Sequence, residues 1–332
     1  MFHLIKTKKQ MEQVSKDIFF ERIQTFEHVP FTQSEGWYKM HVQPNDDRFV
    51  FFIDSTEENT IACMGRITQY FKITYIKIEG ECWAKRNKIL EKQITNFYKE
   101  LSHQYDIVES NSTTTYSPNF EIAIRKAGYK RPLGSFSTPL TIQTSIENRH
   151  YSSDWKRNIR KAHESQLTAD AMHDWDDGIV YRFTEMYNKM AEFKGFGHHV
   201  TFYQIKKLLS DQHFQLFSVK NNENKIIAFR IVYIFKDFIT DVYAANDISN
   251  RKISVNHFLI DYILNYSQNQ GVETFDFARI APGNTANSVY QFKEGIRGSF
   301  VQYNGEWLFC QKYLYRPILY CIKRFLRHRV EF

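Results

Sequence analysis

The sequence predicts a mixed α/β protein made of two domains that share one plan, and three observations carry this. Its 332 residues suit two ordinary domains, each large enough to bury a core. A hydrophobic share of 42% and an aromatic share of 16% mark a globular chain rather than a disordered one. The same order of elements, strands followed by helix, strand and helix, occurs once in each half, without residue-level repetition.

In the first half, Val29-Pro30-Phe31 leads into Thr32–Lys39, where Ser34 is placed to cap a short helix. Phe49–Asp54 and Ile61–Thr68 read as strands around a polar turn, and Ile73–Ile78 as a third. Ile89–Leu101 is a helix with Ile89, Leu90, Ile94, Phe97, Tyr98 and Leu101 on its apolar face. Asp106–Glu109 is a further strand, and Asn119–Ala127 a short helix stopped by Gly128. Pro132 and Pro139 keep Arg131–Leu140 extended. A boundary falls near Thr141–His150.

The second half opens on a helix, Ser153–Ala162, in which Arg157, Arg160 and Lys161 lie at i, i+3 and i+4 and project together. That basic face is either solvated or anion-binding. Tyr181–Phe193 and Thr201–Leu209 are helices, and Phe214–Lys220 and Ile226–Phe235 are strands about the turn 221–224. Phe238–Ala244 is β-rich. Val255, Phe258, Leu259, Tyr262, Ile263 and Tyr266 then recur at helical spacing, Gly271 supplies a left-handed stop, and Val272–Phe277 returns as a strand. This βαβ-like unit is where a ligand site is expected, at strand ends and helix N-termini. A helix beginning near Asn287-Ser288 carries Tyr290 and Lys293 on one face, and Asp276 and Arg279 flank the preceding strand end. A lysine there is either a solubilising side chain or a fixed cation facing a reacting carbonyl or phosphate. The last segment, 311–329, has an apolar stripe of Ile318, Leu319, Ile322, Phe325 and Leu326, with Lys323, Arg324 and Arg327 off it. Its plain reading is a final helix packed on the body; the alternative is a basic amphipathic helix on an anionic membrane.

Composition narrows the function classes. The net charge of +7 is compatible with anionic partners. The start MFHLIKTKKQMEQV has no apolar run of signal-peptide length, and no stretch is apolar enough to span a bilayer. Cys63, Cys82, Cys310 and Cys321 form no C-x-x-C pair, which suits reduced thiols and a cytoplasmic location, with the inner face of the membrane as a further option. Phosphate-loop and dinucleotide glycine motifs and the nucleophile elbow are absent. His198, His199 and His213 lack the carboxylate or cysteine partners of a zinc site, so no metal is expected.

Asp276-Phe277-Ala278-Arg279, Tyr290-Gln291-Phe292-Lys293-Glu294-Gly295, Gly298 and Tyr303-Asn304-Gly305-Glu306-Trp307 resemble the end of the Fem-type (FemABX-like) transferases, which act on bacterial peptidoglycan precursors. Phe31-Thr32-Gln33-Ser34 with Trp37 looks like that family's early segment, and Trp155–Ala162 like its basic helix. The resemblance implies two acetyltransferase-like (GNAT-like) domains, each a mixed, mostly antiparallel central sheet flanked by helices. Their expected limits are 1–145, completed by 310–332, and 146–309. It further implies an acyltransferase that moves an amino acid from aminoacyl-tRNA to the amine of a cell-wall precursor, with no cofactor beyond that donor. Lys293, with Tyr290, would serve the reacting carbonyl. Trp37 and Lys39 in the first domain would hold the precursor, with Arg230, Tyr243, Asp276 and Arg279 as further substrate contacts. Arg157, Arg160 and Lys161 would face tRNA phosphate.

The sequence departs from the family at several points. Ser249–Ser254 has no glycine for a pyrophosphate, which counts against acyl-CoA. No long charged helical hairpin is present. Ala278 stands where many relatives have glycine, and Gln166 where the basic helix often ends in glycine. An N-acyltransferase acting on an amino sugar or amine in surface-polysaccharide assembly, and a non-catalytic RNA- or membrane-associated module, remain the alternatives.

Overall fold

The computed structural model describes residues 11–327, apart from 44, 45, 47, 56–58, 87, 89, 135, 136, 138, 196, 251, 252 and 281–287. In chain order the first elements are β1 (Met11–Val14), α1 (Lys16–Ile23), α2 (Glu35–His41), β2 (Phe49–Asp54), β3 (Ile61–Tyr70), β4 (Ile73–Glu79), β5 (Cys82–Trp83), α3 (Glu91–Gln104), β6 (Ile107–Thr115) and α4 (Pro118–Lys126). Then come β7 (Leu140–Ser145), α5 (Ser153–Glu164), β8 (Thr168–Met172), α6 (Asp177–Lys194), α7 (Phe202–Leu209), β9 (Phe214–Lys220), β10 (Ile226–Phe235) and β11 (Phe238–Asn246). The last are α8 (Val255–Asn269), β12 (Thr274–Arg279), α9 (Ser288–Glu294), β13 (Ser299–Cys310) and α10 (Tyr315–Arg327). Ile89, Asn287 and the Arg251-Lys252 pair of the polar loop, each named from the sequence, lie outside the described residues.

Two compact units result. Unit 1 holds the chain up to Ser34, Val42–Pro139 and Tyr303–Ile322; unit 2 holds Glu35–His41, Leu140–Gln302 and the chain from Lys323. Four places depart from the expected limits: the chain from Lys323, expected with the first domain, falls in unit 2, and strand pairing or helix packing explains the other three. Strand β7 pairs with β12, from Thr274↔Ser145 to Arg279↔Thr141, so it belongs to unit 2. The later part of β13 pairs with β6, from Tyr303↔Thr115 to Cys310↔Ile107, so it belongs to unit 1. Helix α2 packs on α7, which moves Trp37 and Lys39 out of the first unit and into the second. The Ser34 hydroxyl donates to the Phe31 carbonyl at 2.8 Å. At the start of α2 the buried Asp211 carboxylate accepts the Gly36 N–H at 2.8 Å, a contact with a residue far along the chain.

Each unit is the mixed, mostly antiparallel sheet flanked by helices that GNAT-like domains require. In unit 1 the strand order is β1-β2-β3-β4-β6 followed by Tyr303–Cys310 of β13, with β5 on β3. In unit 2, Ser299–Gln302 of β13 starts the order and β7-β12-β11-β10-β9-β8 follow. Among the described residues each sheet has a single parallel pair, β4 with β6 and β11 with β12. A crossover helix, α3 or α8, joins each pair, because parallel strands cannot be closed by a tight turn. The apolar face of α3, Ile94, Phe97, Tyr98 and Leu101, is wholly buried against unit 1's core with Trp83, Phe120 and Trp307. Val255, Phe258, Leu259 and Ile263 of α8 are likewise buried, against Phe217, Phe275 and Phe277. Gly271, at φ 75°, ends α8 as its glycine suggests.

The parallel pairs differ in one respect that positions the site. In unit 1 the ladder runs from Tyr75↔Ile107 to Glu79↔Asn111, the end of β4. In unit 2 it stops at Thr240↔Asp276, although β11 continues to Asn246. A bulge between Ile231 and Val232 on the other flank of β11 accompanies this break.

Candidate active site

Charged side chains gather in unit 2 where β11 and β12 cease to pair with each other. Arg230 of β10 is buried, and its guanidinium forks onto Asp241 of β11, Nε to Oδ1 at 2.8 Å and Nη2 to Oδ2 at 2.7 Å. Its third nitrogen, Nη1, lies 3.5 Å from Asn256 Oδ1 at the start of α8. The bulge makes this pair possible: it sets Val232 opposite Asp241, so the carboxylate reaches a guanidinium two residues back along β10.

Asp276 is the last residue of β12 paired with β11 and is buried. It receives Gln143 Nε2 at 2.7 Å and the Ala278 N–H at 2.7 Å, and Thr141 Oγ1 lies 2.5 Å from it. A carboxylate so occupied ties β12 to β7 and fixes the backbone that follows it. What it holds is a turn. Ala278 adopts φ 56°, a left-handed conformation that costs a residue with a Cβ about 1 kcal/mol, and the β12–β7 register shifts between Asp276 and Arg279.

That turn presents two carbonyls to Lys293. The ammonium donates to Phe277 O at 2.6 Å and Arg279 O at 3.0 Å. Burial pushes its pKa below the ordinary lysine value; Asp241 counters this, Arg230 adds to it, and Asp276 again counters it. Lys194, the last residue of α6, is also shifted down, by burial first and then by Arg230. Three cations and two carboxylates therefore share one region.

Helix α9, which carries Lys293, is held from below by Trp155. The Trp155 indole N–H donates to Phe292 O at 2.8 Å, and its ring packs on Phe292 at 5.0 Å, His257 at 4.9 Å and Tyr151 at 5.3 Å. Gly295, just after the helix, lets the chain pass this ring: a Cβ there would stand 2.2 Å from Trp155 Cδ1. Burial lowers the His257 pKa to about 4, so this histidine is a neutral packing group.

The other sequence-derived residues fall as follows. Tyr290 turns its hydroxyl to Glu294 at 3.4 Å, while Lys293 turns to β12. Arg279 contributes its carbonyl, and its side chain is half-buried. Tyr243 is buried on β11, edge-on to Tyr187 at 5.4 Å, with its hydroxyl 3.9 Å from Met40 Sδ of α2. On α2 itself, Lys39 pairs with Glu35 at 2.9 Å, and Trp37 packs on His41 with centroids 4.3 Å apart and the rings tilted by 44°. The basic face of α5 carries its own carboxylates: Arg157 pairs with Asp154 at 2.7 Å and Arg160 lies 3.8 Å from Glu164. Both arginines and Lys161 are exposed, as a solvated face would be. His213 bonds Asp211 at 2.9 Å, and His198 has its pKa lowered by burial and then by His41 and His199. Among the described residues no three His, Cys, Asp or Glu side chains are grouped to hold a metal.

Sequence reasoning missed Asp241, Lys194 and Asp211. Asp241 had a readable signal: a lone carboxylate inside the β-rich Phe238–Ala244, opposite a strand with a lone arginine. Asp211 and Lys194 had none, since their partners lie far along the chain.

Two units, each a mostly antiparallel sheet with one parallel pair joined by a crossover helix, define the class as a tandem GNAT-like fold, and in unit 2 that pair parts beside Lys293. No protein-family model matches the sequence and no curated protein matches it. Among solved structures, FemX has this fold: TM-score 0.71 at 11% identity, over 93% of this chain and 99% of that one. The structure of L-PGS from Bacillus licheniformis gives 0.64 at 12%, over 94% and 97%. The C-terminal domain of a putative lysylphosphatidylglycerol synthetase from Agrobacterium fabrum gives 0.56 at 11%, over 80% and 85%. At these identities the likeness is one of fold.

Proposed function

We propose that this chain is an aminoacyltransferase that delivers an amino acid from aminoacyl-tRNA to the amine of a cell-wall precursor, with unit 2 as the reaction centre. The observation that carries the reading is the Lys293 ammonium, fixed by the Phe277 and Arg279 carbonyls where the β11–β12 ladder ends. Its setting supports it, because the fold is shared end to end with FemX.

The chemistry follows from the donors. An ammonium has three N–H groups, and two are spent on β12. The third is available to an oxygen that gains charge. As the acceptor amine attacks the ester carbonyl, a C–N bond forms and negative charge collects on the carbonyl oxygen. The C–O bond to the ribose then breaks, and the ribose oxygen leaves with the proton that the amine gives up. A preorganised cation stabilises the charged intermediate without moving, which is where such a group contributes most. Asp241 and Asp276 favour the charged lysine against its burial. Arg230, locked on Asp241, sets the field and leaves the chemistry to Lys293.

The test supplies tRNA charged with labelled amino acids, a peptidoglycan precursor, and in a second arm a phospholipid. Label reaching the precursor amine, and abolished by RNase, is the expected result. Transfer that resists RNase, or that runs from acyl-CoA, overturns the donor; transfer to the lipid alone overturns the acceptor.

A further inference from the structure

We propose that α10 lays its outer face on an anionic membrane surface. The proposal stands on the surface of the helix and holds whether or not the transfer reading does. The packed-helix expectation fails for three of its five stripe residues: Ile318, Ile322 and Phe325 are exposed, Leu319 is half-buried, and the Leu326 side chain lies outside those described. The outward residues are Leu314, Pro317, Ile318, Cys321, Ile322 and Phe325, spaced i, i+3, i+4, i+7, i+8 and i+11, which is one stripe of a 3.6-residue helix. Leu314 is 70% exposed and Phe325 67%.

The opposite face anchors the helix. Arg316 Nη2 donates to Arg131 O at 2.7 Å, and the Tyr320 ring lies where a Cβ on Gly134 would approach it to 2.9 Å. The apolar side is thus turned to solvent while the polar side is held, the reverse of a helix that folds by burying its stripe.

Charge selects the occupant. From Gln311 to Arg327 the sequence has Lys312, Arg316, Lys323, Arg324 and Arg327, and no Asp or Glu. Anionic headgroups complement that composition and the chain's net charge of +7. A second copy does not, because a two-fold contact would set the same cations against each other. At about 1.5 Å per residue the helix is far shorter than the ~20 residues needed to cross a bilayer, so it lies in the interface plane.

The experiment is co-sedimentation of the full chain, without charged tRNA so that no transfer can occur, with vesicles of phosphatidylcholine alone or with added phosphatidylserine. Binding to the anionic vesicles is expected, weakened at least ten-fold by the Ile318→Asp/Phe325→Asp double variant and reduced by high salt. Lys323→Glu/Arg324→Glu is expected to erase the preference for phosphatidylserine. Ile318, Arg324 and Phe325 are exposed and Lys323 is half-buried, so thermal melts of each variant accompany the binding, and the variants should melt with the parent. Equal binding to both vesicles, or to neither, overturns the proposal. So does light scattering that finds a dimer which the apolar double variant converts to monomer.

Discussion

Replacing Gly295 with alanine probes how α9, and with it Lys293, is positioned. The new Cβ would meet Trp155 Cδ1 at 2.2 Å, Trp155 Nε1 at 2.4 Å and Ser152 Oγ at 3.3 Å. Non-bonded carbons prefer about 3.5–4.0 Å, so something must yield by more than ~1 Å. The indole cannot yield, because it is buried between Tyr151, His257 and Phe292. The helix end must move instead, straining the Trp155 N–H bond to Phe292 O. Overpacking of this kind costs about 1–3 kcal/mol, and a weakened hydrogen bond adds about 1. For a unit of this size that lowers the melting temperature by roughly 4–16 °C. Lys293 is two residues away, so transfer should fall by about 10²-fold, as a ~1 Å misplacement does. Gly271→Ala is the control: its φ of 75° makes alanine strained, but no atom lies within 4 Å of the added Cβ. It should lose stability and keep its turnover. A Gly295→Ala protein that melts and transfers like the parent would refute the account of Trp155 as the rigid seat of α9.

Asp241→Asn leaves the buried Arg230 without its counter-charge and should cost about 3–5 kcal/mol in denaturant unfolding, whereas Arg230→Met/Asp241→Leu, which removes both charges, should cost much less. Ala278 and Gln166 sit at φ 56° and 54°, so Ala278→Gly and Gln166→Gly should each leave stability unchanged or raise it by up to ~1 kcal/mol; a clear loss in thermal melts would count against left-handed strain at either position. His257 has its folded pKa lowered to about 4 from 6.5, so the unfolded chain binds the proton more readily. Its contribution is fully present above pH 6.5 and lost as pH falls toward 4. A His257→Phe protein should therefore lose less melting temperature between pH 7 and 4.5 than the parent, and equal slopes would reject this.

Much of the architecture was legible because periodicity and punctuation agreed. The β11-α8-β12 unit follows from the β-rich Phe238 stretch, the helical spacing from Val255 to Tyr266, and Gly271. β1, β5 and β8 are short, and β13 contains Gly305, so none offers a sustained alternating run. The assignment of β7, α2 and the end of β13 was invisible for another reason. It depends on partners more than a hundred residues away, such as Asp211 for Gly36 and β12 for β7. Lys293 was legible as a candidate, but its environment was not. The bulge that aims Asp241 at Arg230 and the left-handed Ala278 that aims two carbonyls at the ammonium are backbone features that residue types do not announce. The departures from glycine at Ala278 and Gln166 do gain a physical meaning, since both positions are left-handed.

The claim at the centre of this account is that Lys293 is kept in place for transfer rather than for stability, and Lys293→Met tests it directly. Burial shifts the folded lysine's pKa down, so its charged form is less at ease in the folded chain than in the unfolded one, and removing it should not lower the melting temperature at neutral pH. The single-turnover rate of aminoacyl transfer from charged tRNA should fall by about 10²–10³-fold, the range expected for loss of one oxyanion donor. A Lys293→Met protein that transfers at the parent's rate would contradict the account.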